Sequence, residues 1–289
     1  MAETLKGLTV TFIGCGTMGG AIIHALVTKN EVETEQIIAS DLLLERQEEL
    51  RNRYGVRITA DNAAAASGAD IVVLSVKPQV LPEVMPELRG KIKPEALVFS
   101  IVAGMPIATI GKGLDHKAIV RTMPNTPAQI GEGMTVWTSS PAVTEAQRAQ
   151  AQAILQTMGL ELYVTHEDAL DMATAVSGTG PTYVFLLMEA LVDAAVHMGF
   201  SRREARPIVI QTVLGSAKFA QQSDKHLAEL RNMVTSPGGT SAEAIYQMEK
   251  GGMRTVLSKA VWAAYQKSRL LGQRALEPPE APLEVNGKE

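Results

Sequence analysis

The chain opens on a long uncharged stretch: from Gly7 to Thr28 it has no Asp, Glu, Lys or Arg, and Lys6 precedes the run. Such a stretch passes for a signal peptide or a membrane span. Its interior argues otherwise, because Gly14, Gly16, Gly19 and Gly20 interrupt it and Thr9, Thr11 and Thr17 are polar. A buried strand, a glycine turn and a helix starting near Met18 fit the pattern better. Through about residue 165, short β-rich runs alternate with helical patterns, which marks a parallel sheet with crossover helices. Strands are expected at Thr9–Ile13, Gln36–Ser40, Val56–Ile58, Ile71–Val76, Ala96–Val102, Ala118–Met123, Met134–Thr138 and Leu160–Val164. Helices are expected between them, among others at Leu42–Arg53 and Thr144–Met158, the second capped by Thr144 with Gln147.

Beyond Thr165 the strand signal fades. Pro181–Met198 reads as a long apolar helix carrying Glu189 and Asp193, and so as one buried in protein rather than in lipid. Ser201 with Glu204 opens a helix to about Gln221, His226–Val234 forms a short one, Thr240 with Glu243 opens another, and Met253–Gly272 is the last. The change of pattern divides the chain into a sheet domain, 1–165, and a helical domain, 166–274. Residues 275–289 contain Pro278, Pro279 and Pro282 without apolar periodicity and are expected to be disordered.

Composition agrees with two globular domains: 289 residues, 46% hydrophobic, 20% charged. Aromatics are only 4%, so the cores must be built from aliphatic side chains and Met. The net charge of −4 offers no basic field for nucleic acid. One cysteine allows neither an internal disulfide nor a multi-cysteine zinc site, and the five histidines show no ligand spacing, so no metal is expected. A cytoplasmic protein bound to neither nucleic acid nor membrane is the expectation.

The first chemical signal is Gly14-Cys15-Gly16-Thr17-Met18-Gly19, a GxGxxG between an expected strand and helix. Gly14 allows the tight turn, Gly16 lets backbone approach a pyrophosphate, and Gly19 lets helix and strand pack closely. The helix N-terminus then presents free N–H groups and the positive end of its dipole to the phosphates. About 20 residues on, Asp41 closes the second strand. A carboxylate there accepts from the ribose 2′-OH of NADH and repels the 2′-phosphate of NADPH. It can equally cap the following helix. Val76-Lys77-Pro78 and Ser100–Gly104, with Ala103, belong to the same crevice because ligands sit outside the carboxyl ends of parallel strands. Cys15 reads as a small filler of the loop rather than a reactive thiol.

A second signal is Val234–Ser241, where Ser236, Gly239, Thr240 and Ser241 set hydroxyls and N–H groups at a helix start. That suits a small carboxylate; an ordinary helix–helix turn is the simpler account. Ser177-Gly178-Thr179-Gly180-Pro181 is a similar turn, equally readable as a cap followed by Pro in the first helical turn.

Taken in order, the loop 13–19, Val76-Lys77-Pro78, Met123-Pro124-Asn125-Thr126-Pro127, Ser177–Tyr183 and Ser236–Thr240 resemble the pyrroline-5-carboxylate reductase family over about Val10–Leu271. The resemblance implies a doubly wound, Rossmann-type α/β domain followed by an all-α dimerisation domain, a homodimer through it, and a ring of dimers. It implies reduction of Δ1-pyrroline-5-carboxylate to L-proline by NADPH or NADH. It also implies substrate contacts from Ser236, Gly239, Thr240, Ser241, Thr179 and an acidic Asp224, and a cofactor crevice lined by Asn62 with Val76, Lys77 and Pro78. Ser241 is expected to orient the imine nitrogen as a hydrogen-bond donor rather than act as a true acid, since an alcohol's pKa is far too high. Three departures stand out: Ser241 where many members have Thr, Thr179 and Thr182 in place of Ser and Ala, and Asp41 where NADP-preferring members are neutral or basic. Other imine reductases and β-hydroxyacid dehydrogenases share the two-domain plan but place a Lys on the long helix, and Pro181–Met198 has none. A non-catalytic dinucleotide sensor is the alternative outside enzymes.

Overall fold

The computed structural model describes residues 4–274, with side chains through 272. The tail expected at 275–289 lies outside the described residues. Eight strands, β1 (Val10–Ile13), β2 (Ile37–Ser40), β3 (Arg57–Thr59), β4 (Ile71–Leu74), β5 (Leu97–Ser100), β6 (Ile119–Met123), β7 (Gly133–Ser139) and β8 (Gly159–Tyr163), form one sheet in the order β3-β2-β1-β4-β5-β6-β7-β8. Every neighbouring pair is parallel except β6 with β7. The sequence reading places all eight, with β1, β2, β3, β5 and β6 beginning one residue later than expected and β7 and β8 one residue earlier. The exception has a local cause. Only 124–132 separate β6 from β7, too few for a crossover helix, and a 3-10 turn at Thr126–Ile130 returns the chain antiparallel.

Helices cover both faces: α1 (Thr17–Thr28), α2 (Leu44–Tyr54), α3 (Asn62–Ser67), α4 (Leu81–Leu88), α5 (Ile107–Leu114) and α6 (Glu145–Thr157). Central strands are therefore buried on both sides and read as continuous apolar runs. The period of two sorts their side chains into separate cores. Phe12, Ile71 and Val73 pack with Ile22, Leu26 and Leu155 on one face. Ile13, Val72 and Leu74 pack with Leu81, Leu88 and Leu114 on the other. The expected box at Thr144 and Gln147 forms at the start of α6.

Compactness divides the chain later than the change of pattern near residue 165. One unit runs to Gly178 and resumes at Ala264; the other is Thr179–Ala263. The short helix α7 (Ala169–Ala173) and a π-helical turn, Thr174–Gly178, stay with the sheet. Leu170 and Ala173 pack on Val136. Arg121, its side chain 5% exposed on β6, reaches Glu167 at 2.7 Å and Asp171 at 3.7 Å. Glu167 also accepts from the Ile107 N–H, and Asp171 from Ser268 Oγ at 2.8 Å. One buried guanidinium therefore binds two distant stretches of chain to the sheet.

The helical unit holds α8 (Gly180–His197), α9 (Arg202–Gln221), α10 (Leu227–Met233), α11 (Thr240–Lys250) and the first part of α12 (Met253–Arg274). The Ser201–Glu204 box caps α9 as expected. The Thr240–Glu243 box does not form: Gly239 is the N-cap, Thr240 is the first helical residue, and the Glu243 side chain pairs with Gln247 instead. The helix α8, expected to be buried in protein rather than in lipid, has Ala195 as its one buried residue within the single chain among those described, and Phe185 and Leu186 are 59% and 65% exposed. The stretch Ala169–His197 is long and apolar enough to cross a membrane by length and composition.

Candidate active site: a dinucleotide crevice and a hydroxyl-lined loop

The glycine loop follows β1 and opens α1 at Gly16. Gly14 has φ +82°, and a Cβ there would stand 2.6 Å from Val76 Cγ1. A Cβ on Gly19 would stand 2.8 Å from the Gly14 carbonyl and 2.9 Å from Ser75 Oγ. At Gly16, by contrast, a Cβ would meet nothing within 4 Å. The loop is thus tight where β1, β4 and α1 meet and open where an anion would approach. No side chain caps α1 and no acid stands in its first turn, so the helix start is electrostatically suited to a pyrophosphate. Thr17 is exposed and Met18 half-buried against the core.

The other residues expected at the cofactor lie where neighbouring strands end. Asp41 follows β2, Asn62 opens α3 beyond β3, Val76, Lys77 and Pro78 follow β4, and Ala103 follows β5. Asp41 does not cap α2, whose N-cap is Leu43 with no side-chain bond; its carboxylate is instead bound to two backbone N–H groups. Its Oδ1 accepts from the Leu43 N–H at 3.0 Å, which holds 41–43 as a turn and delays α2 to Leu44. Its Oδ2 accepts from the Cys15 N–H at 2.7 Å and so supports the glycine loop. Cys15 is fully buried, with Sγ 3.6 Å from the Ser40 carbonyl. Burial, reinforced by the Asp41 charge and opposed by Arg46, pushes its thiol up to about 12. The filler reading of Cys15 agrees with that environment.

In the helical unit, 234–239 turn the chain from α10 into α11. Gly239 accepts from the Ala242 and Glu243 N–H groups and donates to the Ser236 carbonyl at 3.1 Å. Thr235 Oγ1 is bound back to the Arg231 carbonyl. Among the described residues no hydrogen bond engages the hydroxyls of Ser236, Thr240 or Ser241, nor the N–H groups of Thr240 and Ser241. A helix start with two unused N–H groups and three unused hydroxyls is chemically suited to a small carboxylate. Asp224 lies exposed on the turn between α9 and α10, and Thr179 stands directly before α8.

The family described as pyrroline-5-carboxylate reductase dimerisation matches residues 167–271, and the family of coenzyme F420-dependent NADP oxidoreductases matches 9–104. The pyrroline-5-carboxylate reductase of Synechocystis is 40% identical over 262 residues, 91% of this chain and 97% of that protein. That of Pseudomonas aeruginosa is 39% identical over 266 residues, with 92% and 97% covered. The chain belongs to the pyrroline-5-carboxylate reductase family. Among solved members, the NADP-bound Plasmodium falciparum reductase superposes with a TM-score of 0.84 at 30% identity, covering 92% of this chain and 98% of that one.

Two features of this reductase escaped the sequence reading. Asn125, in the Met-Pro-Asn-Thr-Pro segment after β6, donates from Nδ2 to the Ser177 carbonyl at 3.1 Å and accepts at Oδ1 from the Met134 N–H at 2.9 Å. Two family segments thus meet through one amide, which holds the π-helical turn against the sheet. The other feature is the Arg121 cluster. The only sequence signal for it is an Arg inside an otherwise apolar strand, since a cation there requires a carboxylate partner.

Proposed function

We propose that this chain reduces Δ1-pyrroline-5-carboxylate to L-proline with NAD(P)H, as the last step of proline synthesis, in the cytoplasm. The observation that carries the reading is length-wide similarity: reductases at 39% and 40% identity match both the sheet unit and the helical unit. The glycine loop supports cofactor binding by Gly14, Cys15, Gly16, Thr17, Met18 and Gly19, with Asp41, Asn62, Val76, Lys77, Pro78 and Ala103 around it. Bound NAD(P)H supplies the hydride.

The chain's own groups bind, orient and protonate. The N–H groups of Thr240 and Ser241 hold the substrate carboxylate, with Ser236 and Gly239 shaping the turn and Thr179 lining the pocket. As the imine carbon is reduced its nitrogen becomes basic, and the Ser241 hydroxyl orients it, with Asp224 or a bound water as the source of the proton. The reading divides the chain into a cofactor domain over 1–165 and a substrate and dimerisation domain over 166–274. The exposed apolar surface of α8 supports a homodimer, and a ring of such dimers is the larger assembly proposed. A single cysteine, buried as a thiol, suits the cytoplasm.

The assay is loss of reduced-nicotinamide absorbance with pyrroline-5-carboxylate. Ser241→Ala is expected to lower kcat/KM by roughly tenfold or more, and Ser241→Thr to retain most of it. Absence of turnover with either cofactor would sink the proposal.

A further inference from the structure

We infer that Asn125 is a positioning residue for the reduction: its side-chain amide stands in for the backbone N–H that Pro181 lacks, and so fixes the turn that delivers Thr179. The inference rests on the reading above in which Thr179 lines the substrate pocket.

In a continuous helix the Ser177 carbonyl accepts from the N–H of residue 181. Here residue 181 is Pro, in the first turn of α8, and has no N–H to give. The Thr182 N–H does not replace it, because it donates to the Thr179 carbonyl at 2.9 Å. The donor comes instead from 52 positions earlier in the chain, where Asn125 Nδ2 reaches the Ser177 carbonyl at 3.1 Å. A helical carbonyl left open by proline is closed by a side chain from beyond the end of β6.

The amide is committed to this task. Asn125 is the N-cap of the 3-10 turn at Thr126–Ile130, a place where Asn ordinarily bonds an N–H of its own turn, yet its side chain makes no capping bond. Its Oδ1 accepts from the Met134 N–H, near the start of β7, at 2.9 Å. A backbone N–H only donates and a carbonyl only accepts, so the amide has one orientation here.

The segment it holds is a weak point of the helix. Thr174–Gly178 form a π-helical turn, a widened form that is rare and frequent at functional sites. The Thr174 and Ser177 hydroxyls bond back to the Leu170 and Ala173 carbonyls of α7, which secures the entry to the turn. At its exit, a Cβ on Gly178 would stand 2.6 Å from Met123 Cε, so the turn lies against the end of β6. The sheet unit ends at Gly178, and Thr179 begins the helical unit. Asn125 therefore pins the last point of the sheet unit before Thr179. Without that bond the turn slackens and Thr179 no longer comes to one place, and reacting geometry is sensitive to displacements of that kind.

The test uses the intact enzyme and the variants Asn125→Ala, Pro181→Ala and the two combined. Rates with pyrroline-5-carboxylate are measured beside the Kd of each reduced nicotinamide cofactor, the oligomer mass, and amide hydrogen exchange over 174–183 without substrate. Asn125→Ala is expected to lower kcat/KM for the imino acid by about tenfold while the cofactor Kd stays within about twofold. Exchange over 174–183 should quicken by about tenfold in the same variant. Pro181→Ala supplies a backbone donor at 181, so the combined variant is expected to regain most of both losses. A combined variant no better than Asn125→Ala overturns the inference. So does a parallel loss of cofactor affinity and oligomer mass in Asn125→Ala, which would make the residue a general support of the fold. The exchange readout needs no turnover: if the substrate reading fails, the wild type is inactive with the imino acid while the exchange pattern still tests the latch.

Discussion

In the sheet unit, Phe12, Ile13, Ile22 and Leu74 have no exposed surface; in the helical unit, Phe185, Leu186 and Trp262 each leave more than half of theirs exposed. Both regions are apolar in sequence, so hydrophobicity does not distinguish them. Layering does. The sheet has two faces, each covered by helices, so alternate residues of every central strand find a core. The buried hydrophobic residues of the helical unit, among those described, are Ala195, Ala205, Val209 and Leu230, too small a set to sustain an independent core. One unit is a finished fold and the other is half of an interface.

The substitution expected to have the largest effect attacks that interface. Leu186→Glu places a charge on the exposed apolar side of α8, where a buried carboxylate would find no partner. Light scattering should show the oligomer dissociating and the assay should lose nearly all activity, while the sheet unit keeps its helical and strand circular dichroism. A fully active, undissociated Leu186→Glu enzyme would break the comparison. In the sheet unit the largest loss should come from Arg121→Met. It strands Glu167 and Asp171 without their cation at a cost of about 3 kcal/mol, read from denaturant midpoints, with no change in oligomer mass. The smallest effect is at Cys15. With its pKa raised to about 12, close to one thiol in ten thousand is ionised at pH 8, so the folded enzyme should resist alkylation that the unfolded chain accepts. Rapid labelling of the native protein would show that the loop opens.

Much of this was legible in the chain itself. The eight strands, the glycine loop, and the boxes at Thr144 and Ser201 depend on spacing within a few residues, which sequence displays directly. The Thr240–Glu243 pair satisfied the same spacing and did not form a box, because Gly239 took the cap and Gln247 took the carboxylate. Spacing states which bonds are available and leaves open which competitor wins. Asp41 shows the same limit: the expected cap of α2 does not form, and the carboxylate instead bonds the Cys15 and Leu43 N–H groups, bracing the glycine loop and the turn after β2. The anion-receptive character of Ser236–Ser241 was visible as composition, and the fold adds that its hydroxyls have no partner among the described residues.

The sequence alone determined the order of elements, the cofactor loop and the family, since each follows from local periodicity or from short runs of residues with a chemical reason to be adjacent. Tertiary structure alone decided three things. It turned β7 antiparallel, it carried the sheet unit past residue 165 through Arg121, Glu167, Asp171 and Ser268, and it brought Asn62 to Glu87. These are contacts between residues up to 97 positions apart, and neither helical nor strand periodicity encodes which distant side chain completes a buried charge.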